Sequence, residues 1–133
     1  VRSITGAIVK QSKGFESAPV AGIVGVAYQN TSEILAPTII DSLVNSGAID
    51  NSFSLCLDQS GQDGAMTFGA VGTGGGSMSF TPILQQSFYV VNFKSITVGS
   101  ASSPLPIDPH VYNAGQAIVD SGTTDFLIPS SAF

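Results

Sequence analysis

The hydrophobic positions of the chain fall into short runs separated by segments rich in glycine, serine and proline. Runs of this length are typical of strands. They predict strands at Ile4 to Val9, Val20 to Val26, Phe53 to Leu57, Ala65 to Phe68 and Phe88 to Val98. The third and fourth are joined by a segment of turn-forming residues, which predicts a hairpin.

One segment has helical periodicity instead. Between Pro37 and about Asn45, the apolar residues Ile39, Ile40, Leu43 and Val44 repeat on one face. Proline suits the first turn of a helix and Gly47 suits its end. The pattern therefore predicts an all-β chain with one short helix.

Composition agrees with a folded, turn-rich β protein, since 43% of the residues are hydrophobic, 15 are glycine and only 10% are charged. The formal net charge of −5 disfavours nucleic acid as a partner. No apolar run reaches the roughly 18 residues that a membrane-spanning helix needs, so we predict no membrane segment in this stretch.

The segment Ala117 to Thr124 carries the candidate chemistry, because Asp120 directly follows an apolar, β-branched run. We expect Asp120 at a strand end, with Ser121, Thr123 and nearby amides donating hydrogen bonds to its carboxylate. Gly122 would permit a backbone conformation closed to other residues. These residues alone fit an ordinary Asp-Ser-Gly surface turn equally well.

The turn resembles the active-site motif of the pepsin-like aspartic peptidases, a hydrophobic pair followed by Asp-Thr/Ser-Gly-Thr/Ser. The similarity continues upstream, in family order, over roughly residues 20 to 130, and the segments from 88 to 107 resemble the entry to the second lobe, especially in plant-type members. The matching segments are residues 20–28, 53–57, 64–69, 88–91, 95–99 and 105–107. The resemblance implies a partial, all-β, pepsin-like acid protease fold.

The order of these motifs predicts an internal fragment. In the family, each lobe presents its aspartate turn first and its hydrophobic-hydrophobic-Gly segment later, whereas here Ile23-Val24-Gly25 precedes Asp120. We therefore expect residues 1–75 to be the C-terminal part of a first lobe and residues 76–133 the N-terminal part of a second. The first catalytic aspartate and the rest of both lobes would lie elsewhere in the same protein, and the isolated chain should be inactive.

The resemblance also implies a mechanism and a set of site residues. Two aspartates would share a proton and activate a water that hydrolyses a peptide bond of a polypeptide substrate, with Asp120 as the second-lobe member. Thr123 would hydrogen-bond its outer oxygen, Gly122 would offer its amide, and Ser121 would reach toward the opposite lobe. The expected substrate contacts are Thr124, then Ile118 and Phe88 near the pocket on the leaving-group side of the scissile bond, and Ile23 near the pocket on its acyl side. For the three apolar residues, a place in the core is the commoner role.

Other site types are less well supported by the residues. His110 is the only histidine, in a proline-rich segment that we expect to be a solvated loop. One cysteine and one histidine cannot form a structural zinc site, so we predict no metal and no cofactor. The tract Gly72 to Gly76 is expected to be a flexible loop, because a phosphate-binding loop would be followed by a lysine and a helix.

Two features bear on the compartment. Cys56 is the only cysteine, and it is either bonded to a partner outside this chain or a small buried apolar residue. Asn30-Thr31-Ser32 is a candidate glycosylation site at Asn30. With the acidic, charge-poor composition, these features favour the secretory pathway, with an extracellular, vacuolar or lysosomal location.

Three alternative functions remain open at this level. The first is a catalytically dead, pepsin-like inhibitor or binding module. The second is a single-lobe homodimer of the retropepsin type, which the late position of Asp120 argues against. The third, a Gly- and Ser-rich β-scaffold, leaves the series of motifs unexplained.

Overall fold

A computed structural model describes residue 1 and residues 6–10, 22–60, 63–69, 77–100 and 102–132. The coordinates form two compact units, Val1–Met78 and Ser79–Phe133. The predicted tract Gly72 to Gly76 lies outside the described residues, and the assignment of the two units to two lobes stays a prediction. None of the helices in the described ranges combines the length and apolar character needed to cross a bilayer.

In the first unit, helix α1 (Ile39–Asn45) confirms the predicted helix and its end, but the predicted start is wrong, because Pro37 lies before the N-cap Thr38 and not in the first turn. Thr38 caps it, because its hydroxyl accepts from the Asp41 backbone N–H at 3.1 Å while Asp41 Oδ2 accepts from Thr38 N–H at 2.8 Å. At the other end Gly47 (φ +71°) donates to Val44 O at 2.9 Å, and the next N–H donates to Leu43 O at 3.0 Å. This paired closure requires the left-handed backbone that glycine favours.

The predicted hairpin is also confirmed. Strand β1 (Phe53–Leu57) pairs antiparallel with β2 (Gly64–Phe68), with Phe53 opposite Phe68 and Leu57 opposite Gly64. After β2, Gly69 (φ +76°) passes against Ile49, where a side chain would not fit. The close approach fixes the end of the hairpin beside the segment that follows α1.

In the second unit, β3 (Val90–Val91) pairs antiparallel with β4 (Ala117–Ile118). The prediction of one strand from Phe88 to Val98 is therefore wrong in extent. Tyr89 (φ +54°) has a left-handed backbone that prevents an extended strand from starting earlier. Beyond Val91 the pairing stops, because the segment that would lie opposite belongs to the turn after a helix.

That helix, α2 (Pro109–Asn113), replaces the loop expected around His110, which is exposed. Asp108 caps it by accepting from the backbone N–H of His110 at 2.9 Å, and Pro109 occupies the first helical position. The Asp-Pro pair is a helix start signal, and the expectation of a loop here is wrong.

The small core of the second unit forms around α2. Val90 is 5% exposed and Tyr112 is 4% exposed. The ring of Phe93 lies edge-on to Tyr112, with centroids 5.2 Å apart, and 5.9 Å from the ring of Phe126. These contacts join β3, α2 and the segment that follows the candidate site.

The expectation of a buried strand from Val20 to Val26 is wrong for its described part. Residues 22–26 form no strand, and Ile23 is 76% exposed. A strand buried on both faces needs neighbours on both sides, and the described part of the first unit pairs no strand with it. Residues 20–21 lie outside the description, as do residues 4–5 of the first predicted strand, whose described part, residues 6–9, is not a strand either.

Candidate functional site

Asp120 lies at the end of a strand, as predicted. Strand β4 ends at Ile118, and the next N–H, that of Val119, donates to Tyr89 O at 3.3 Å. The chain then turns at Asp120 through Ser121 and Gly122. The carboxylate is therefore attached directly to the paired part of the second unit.

Both oxygens of the carboxylate accept a hydrogen bond. Thr123 Oγ1 donates to Asp120 Oδ2 at 2.6 Å, and the backbone N–H of Gly122 donates to Oδ1 at 2.8 Å. The Thr123 hydroxyl contributes most to lowering the pKa of Asp120 below its ordinary value, the Gly122 N–H adds to this, and a small desolvation opposes it. The turn therefore favours an ionised, oriented carboxylate.

Gly122 brings its amide close to the carboxylate for a reason other than the expected one. It is not among the described glycines with positive φ, so backbone freedom does not explain it. A Cβ at this position would lie 3.1 Å from Asp120 Oδ1. The absence of a side chain lets the amide approach the carboxylate closely.

Ser121 and Thr124 flank these donors on the exposed side of the turn. Their hydroxyls make no hydrogen bond within the described ranges, which leaves them accessible to a substrate or to another part of the protein. Their predicted roles, toward the opposite lobe and toward substrate, stay predictions.

The apolar candidates are placed differently. Ile118 lies two residues before Asp120, is 45% exposed and pairs with Val90. Phe88, 54% exposed, precedes β3. Ile23 belongs to the first unit and lies in its exposed segment. All three are exposed enough to contact substrate, but none has a described contact that assigns this role.

A cavity of about 610 Å³ lies beside the turn within the second unit. Asp120, Thr123 and Ile118 line it, while Phe88 does not. Its other walls include Asp125 and Phe126, which the sequence reasoning did not select. The available signal was the apolar run at residues 126–128, which begins three residues after Thr123.

The two residues whose modification would indicate the cellular compartment, Cys56 and Asn30, are exposed. Cys56, in β1, is an exposed free thiol, which is not the buried apolar residue of one earlier alternative. Asn30 is exposed in a single turn of 3-10 helix, Gln29–Thr31. In the described part of the chain, no group of three or more His, Cys, Asp or Glu residues is arranged to hold a metal ion.

Comparison of the sequence with known proteins matches this chain to a family. The family model described as eukaryotic aspartyl protease matches residues 2–133. The chain is 30% identical to pepsin II-1 of Oryctolagus cuniculus over 122 residues, which cover 89% of this chain and 30% of that protein. It is 27% identical to chymosin of Bos taurus over 120 residues, covering 88% and 30%. It is 37% identical to an aspartyl protease family protein of Arabidopsis thaliana over 91 residues, covering 65% and 19%. The chain thus spans less than a third of the length of these relatives.

Proposed function

Because this chain belongs to the eukaryotic aspartyl proteases, we propose that it is part of an aspartic endopeptidase in which Asp120 is one of two catalytic carboxylates. The observation that carries this proposal is the pair of hydrogen bonds from Thr123 and Gly122 to the two oxygens of Asp120. Together the two bonds fix the plane of the carboxylate, as a positioned acid/base group requires. The second aspartate is supplied by another part of the protein.

The geometry supports a division of roles between the two aspartates. Two carboxylates about 3 Å apart cannot both ionise easily, so one keeps its proton. We propose that Asp120 is the ionised member and the general base, and the donors that lower its pKa support this role. Asp120 takes a proton from water as the water oxygen attacks the peptide carbonyl carbon, and the partner aspartate gives its proton to the carbonyl oxygen. The titration belongs to the pair as a whole.

The substrate proposed for this site is an extended polypeptide. Thr124 is a proposed substrate contact, together with Ile118 and Phe88 on the leaving-group side and Ile23 on the acyl side. Ser121 is proposed to contact the opposite lobe. Exposure of all five side chains supports these roles.

The test is peptidase activity of the complete gene product between about pH 3 and 7, with and without pepstatin. Asp120→Asn should reduce kcat by roughly 100-fold or more, since it removes a positioned acid/base group. Asp108→Asn is the matched control, because asparagine also caps a helix N-terminus. Activity that survives Asp120→Asn would refute the proposal. A folded protein that neither cleaves nor binds pepstatin would favour the inhibitor or binding-module alternative.

We further propose that the protein enters the secretory pathway, for an extracellular, vacuolar or lysosomal location. The exposed Asn30 sequon and the exposed Cys56 thiol support this, because glycosylation and disulfide formation both require that route. Loss of a glycosidase-sensitive gel shift in Asn30→Gln, and a Cys56 disulfide in non-reduced peptide maps, are the expected results. An unmodified Asn30 together with a reduced Cys56 in protein from its native source would contradict it.

A further inference from the structure

The antiparallel pairing that leads to Asp120 has a missing partner. Val90 is opposite Ile118 and Val91 is opposite Ala117. In the same register Tyr89 is opposite Val119, and the hydrogen bond from Val119 N–H to Tyr89 O makes these two residues a hydrogen-bonded pair. Hydrogen-bonded pairs recur at every second residue of an antiparallel ladder. The same register therefore assigns Phe93 to Gly115.

The segment before β4 leaves the ladder before it can form this pair. Gly115 lies in the turn after α2, and Gln116 (φ +67°) begins the return into β4. Without a partner strand, the N–H and C=O of Phe93 would both lack the bonds that a hydrogen-bonded pair supplies. An unpaired backbone group in a partly buried position is costly.

The side chain of Asn113 supplies both bonds. Phe93 N–H donates to Asn113 Oδ1 at 2.9 Å, and Asn113 Nδ2 donates to Phe93 O at 2.8 Å. The second hydrogen of the same amide group faces Pro109 O at 2.7 Å, which fixes the side chain to its own helix. The primary amide can do this because it carries a donor and an acceptor side by side at any pH.

Phe93 in turn contacts both sides of the aspartate turn. Its backbone continues β3, whose partner β4 leads into Asp120. Its ring contacts Tyr112 and also Phe126, which lies three residues beyond Thr123. A shift of Phe93 would move the strand before the turn and the segment after it.

We propose that Asn113 is a positioning residue for the Asp120 turn, because its side-chain amide replaces the backbone partner that the ladder lacks opposite Phe93. The role of Asn113 in hydrolysis rests on the proposed function. The hydrogen-bond replacement itself does not.

The test uses the complete protein with Asn113→Asp, Asn113→Leu and, as a matched control, Asn92→Asp, an exposed asparagine beside Phe93. Asn113→Leu removes both bonds, so kcat should fall about tenfold at every pH with KM within about twofold, since small displacements of catalytic groups act on the chemical step. Asn113→Asp is the sharper variant. When protonated, its carboxyl can donate to Phe93 O and accept from Phe93 N–H, whereas the carboxylate can only accept.

Near pH 3, Asn113→Asp should therefore approach the kcat of the wild type. As the pH rises through the pKa of the new carboxyl, its kcat should fall relative to that of the wild type. The ordinary pKa of an aspartate is about 3.9. Repulsion by Phe93 O raises that pKa in the folded state, so its thermal stability should also fall relative to wild type over the same rise in pH. The control should follow wild type. The inference would be overturned if kcat of Asn113→Asp depended on pH as in the wild type. It would also be overturned if Asn113→Asp and Asn113→Leu both lost stability while their kcat values stayed unchanged.

If the wild-type protein cleaves nothing, the proposed function fails, and the NMR titration of the Asp120 carboxyl decides the inference instead. A titration displaced in Asn113→Leu supports positioning of the turn by Asn113. An unchanged titration refutes it.

Discussion

The hydroxyl of Thr123 lies 2.6 Å from Oδ2 of Asp120 and donates its proton to that oxygen. This is a charge-assisted bond across a three-residue separation, and it occupies one oxygen while the Gly122 amide occupies the other. The orientation of the carboxylate plane is therefore set by the turn itself.

Replacing Thr123 by valine, which keeps the shape and removes the hydroxyl, should raise the pKa of Asp120 toward its ordinary value. The hydroxyl stabilises the ionised form, so without it the carboxylate takes up a proton at higher pH. NMR titration of the Asp120 carboxyl measures the change, and kcat should fall roughly 10-fold to 100-fold as the group loses its orientation.

Two controls accompany this variant. Thr123→Ser retains the donor and should restore both the pKa and most of the activity, while Thr124→Val removes a neighbouring hydroxyl that has no bond to Asp120 and should leave the pKa unchanged. Equal pKa values in Thr123→Val and wild type would contradict the role given to Thr123.

Gly122→Ala should impair activity because the added Cβ would meet Asp120 Oδ1 at 3.1 Å. The carboxylate oxygen must shift by a few tenths of an ångström, and we expect this shift to lengthen the bond from the Gly122 amide. We expect roughly a 10-fold to 100-fold decrease in kcat. Gly115→Ala is the control, because a Cβ there meets nothing within 4 Å. Similar kcat values for both alanine variants would argue against a close-approach requirement.

The local elements that the sequence predicted correctly are those whose determinants are local. Helix α1 has its cap, its apolar face and its glycine stop within about ten residues, and the β1–β2 hairpin has its turn residues between its two strands. For the Asp120 turn, the predicted donors Thr123 and the Gly122 amide are confirmed, whereas the expectation that Ser121 also donates to the carboxylate is wrong. Each of these signals is a short-range one.

What the sequence could not provide depends on partners distant in the chain. The extent of β3 is set by the left-handed Tyr89 and by the exit of its partner into α2. The amide of Asn113 reaches a backbone 20 residues away, and no local pattern marks that contact. The cavity wall at Phe126 likewise arises from its packing against Phe93.

Removing the cap of α1 should destabilise the first unit. Thr38→Ala removes the hydroxyl that accepts from Asp41 N–H, and loss of such a cap costs about 1 kcal/mol of unfolding free energy. Urea unfolding followed by far-UV circular dichroism measures it. Thr38→Ser keeps the acceptor and should remain within about 0.5 kcal/mol of wild type. An alanine variant as stable as the serine variant would show that the capping bond contributes nothing.

Gly69 and Gly47 separate two costs of adding a side chain. Both have a left-handed backbone, at φ +76° and +71°, but a Cβ on Gly69 would lie 2.8 Å from Ile49 Cβ, whereas one on Gly47 meets nothing within 4 Å. Gly47→Ala should therefore lose only the conformational term, about 1 kcal/mol. Gly69→Ala should lose that and more, because Ile49 must move, and a total of roughly 2 to 4 kcal/mol is expected. The urea midpoints of the two variants give the difference in unfolding free energy, provided that their m-values are equal. Equal destabilisation would mean that the segment at Ile49 yields without cost, and the close approach would then not fix the end of the hairpin.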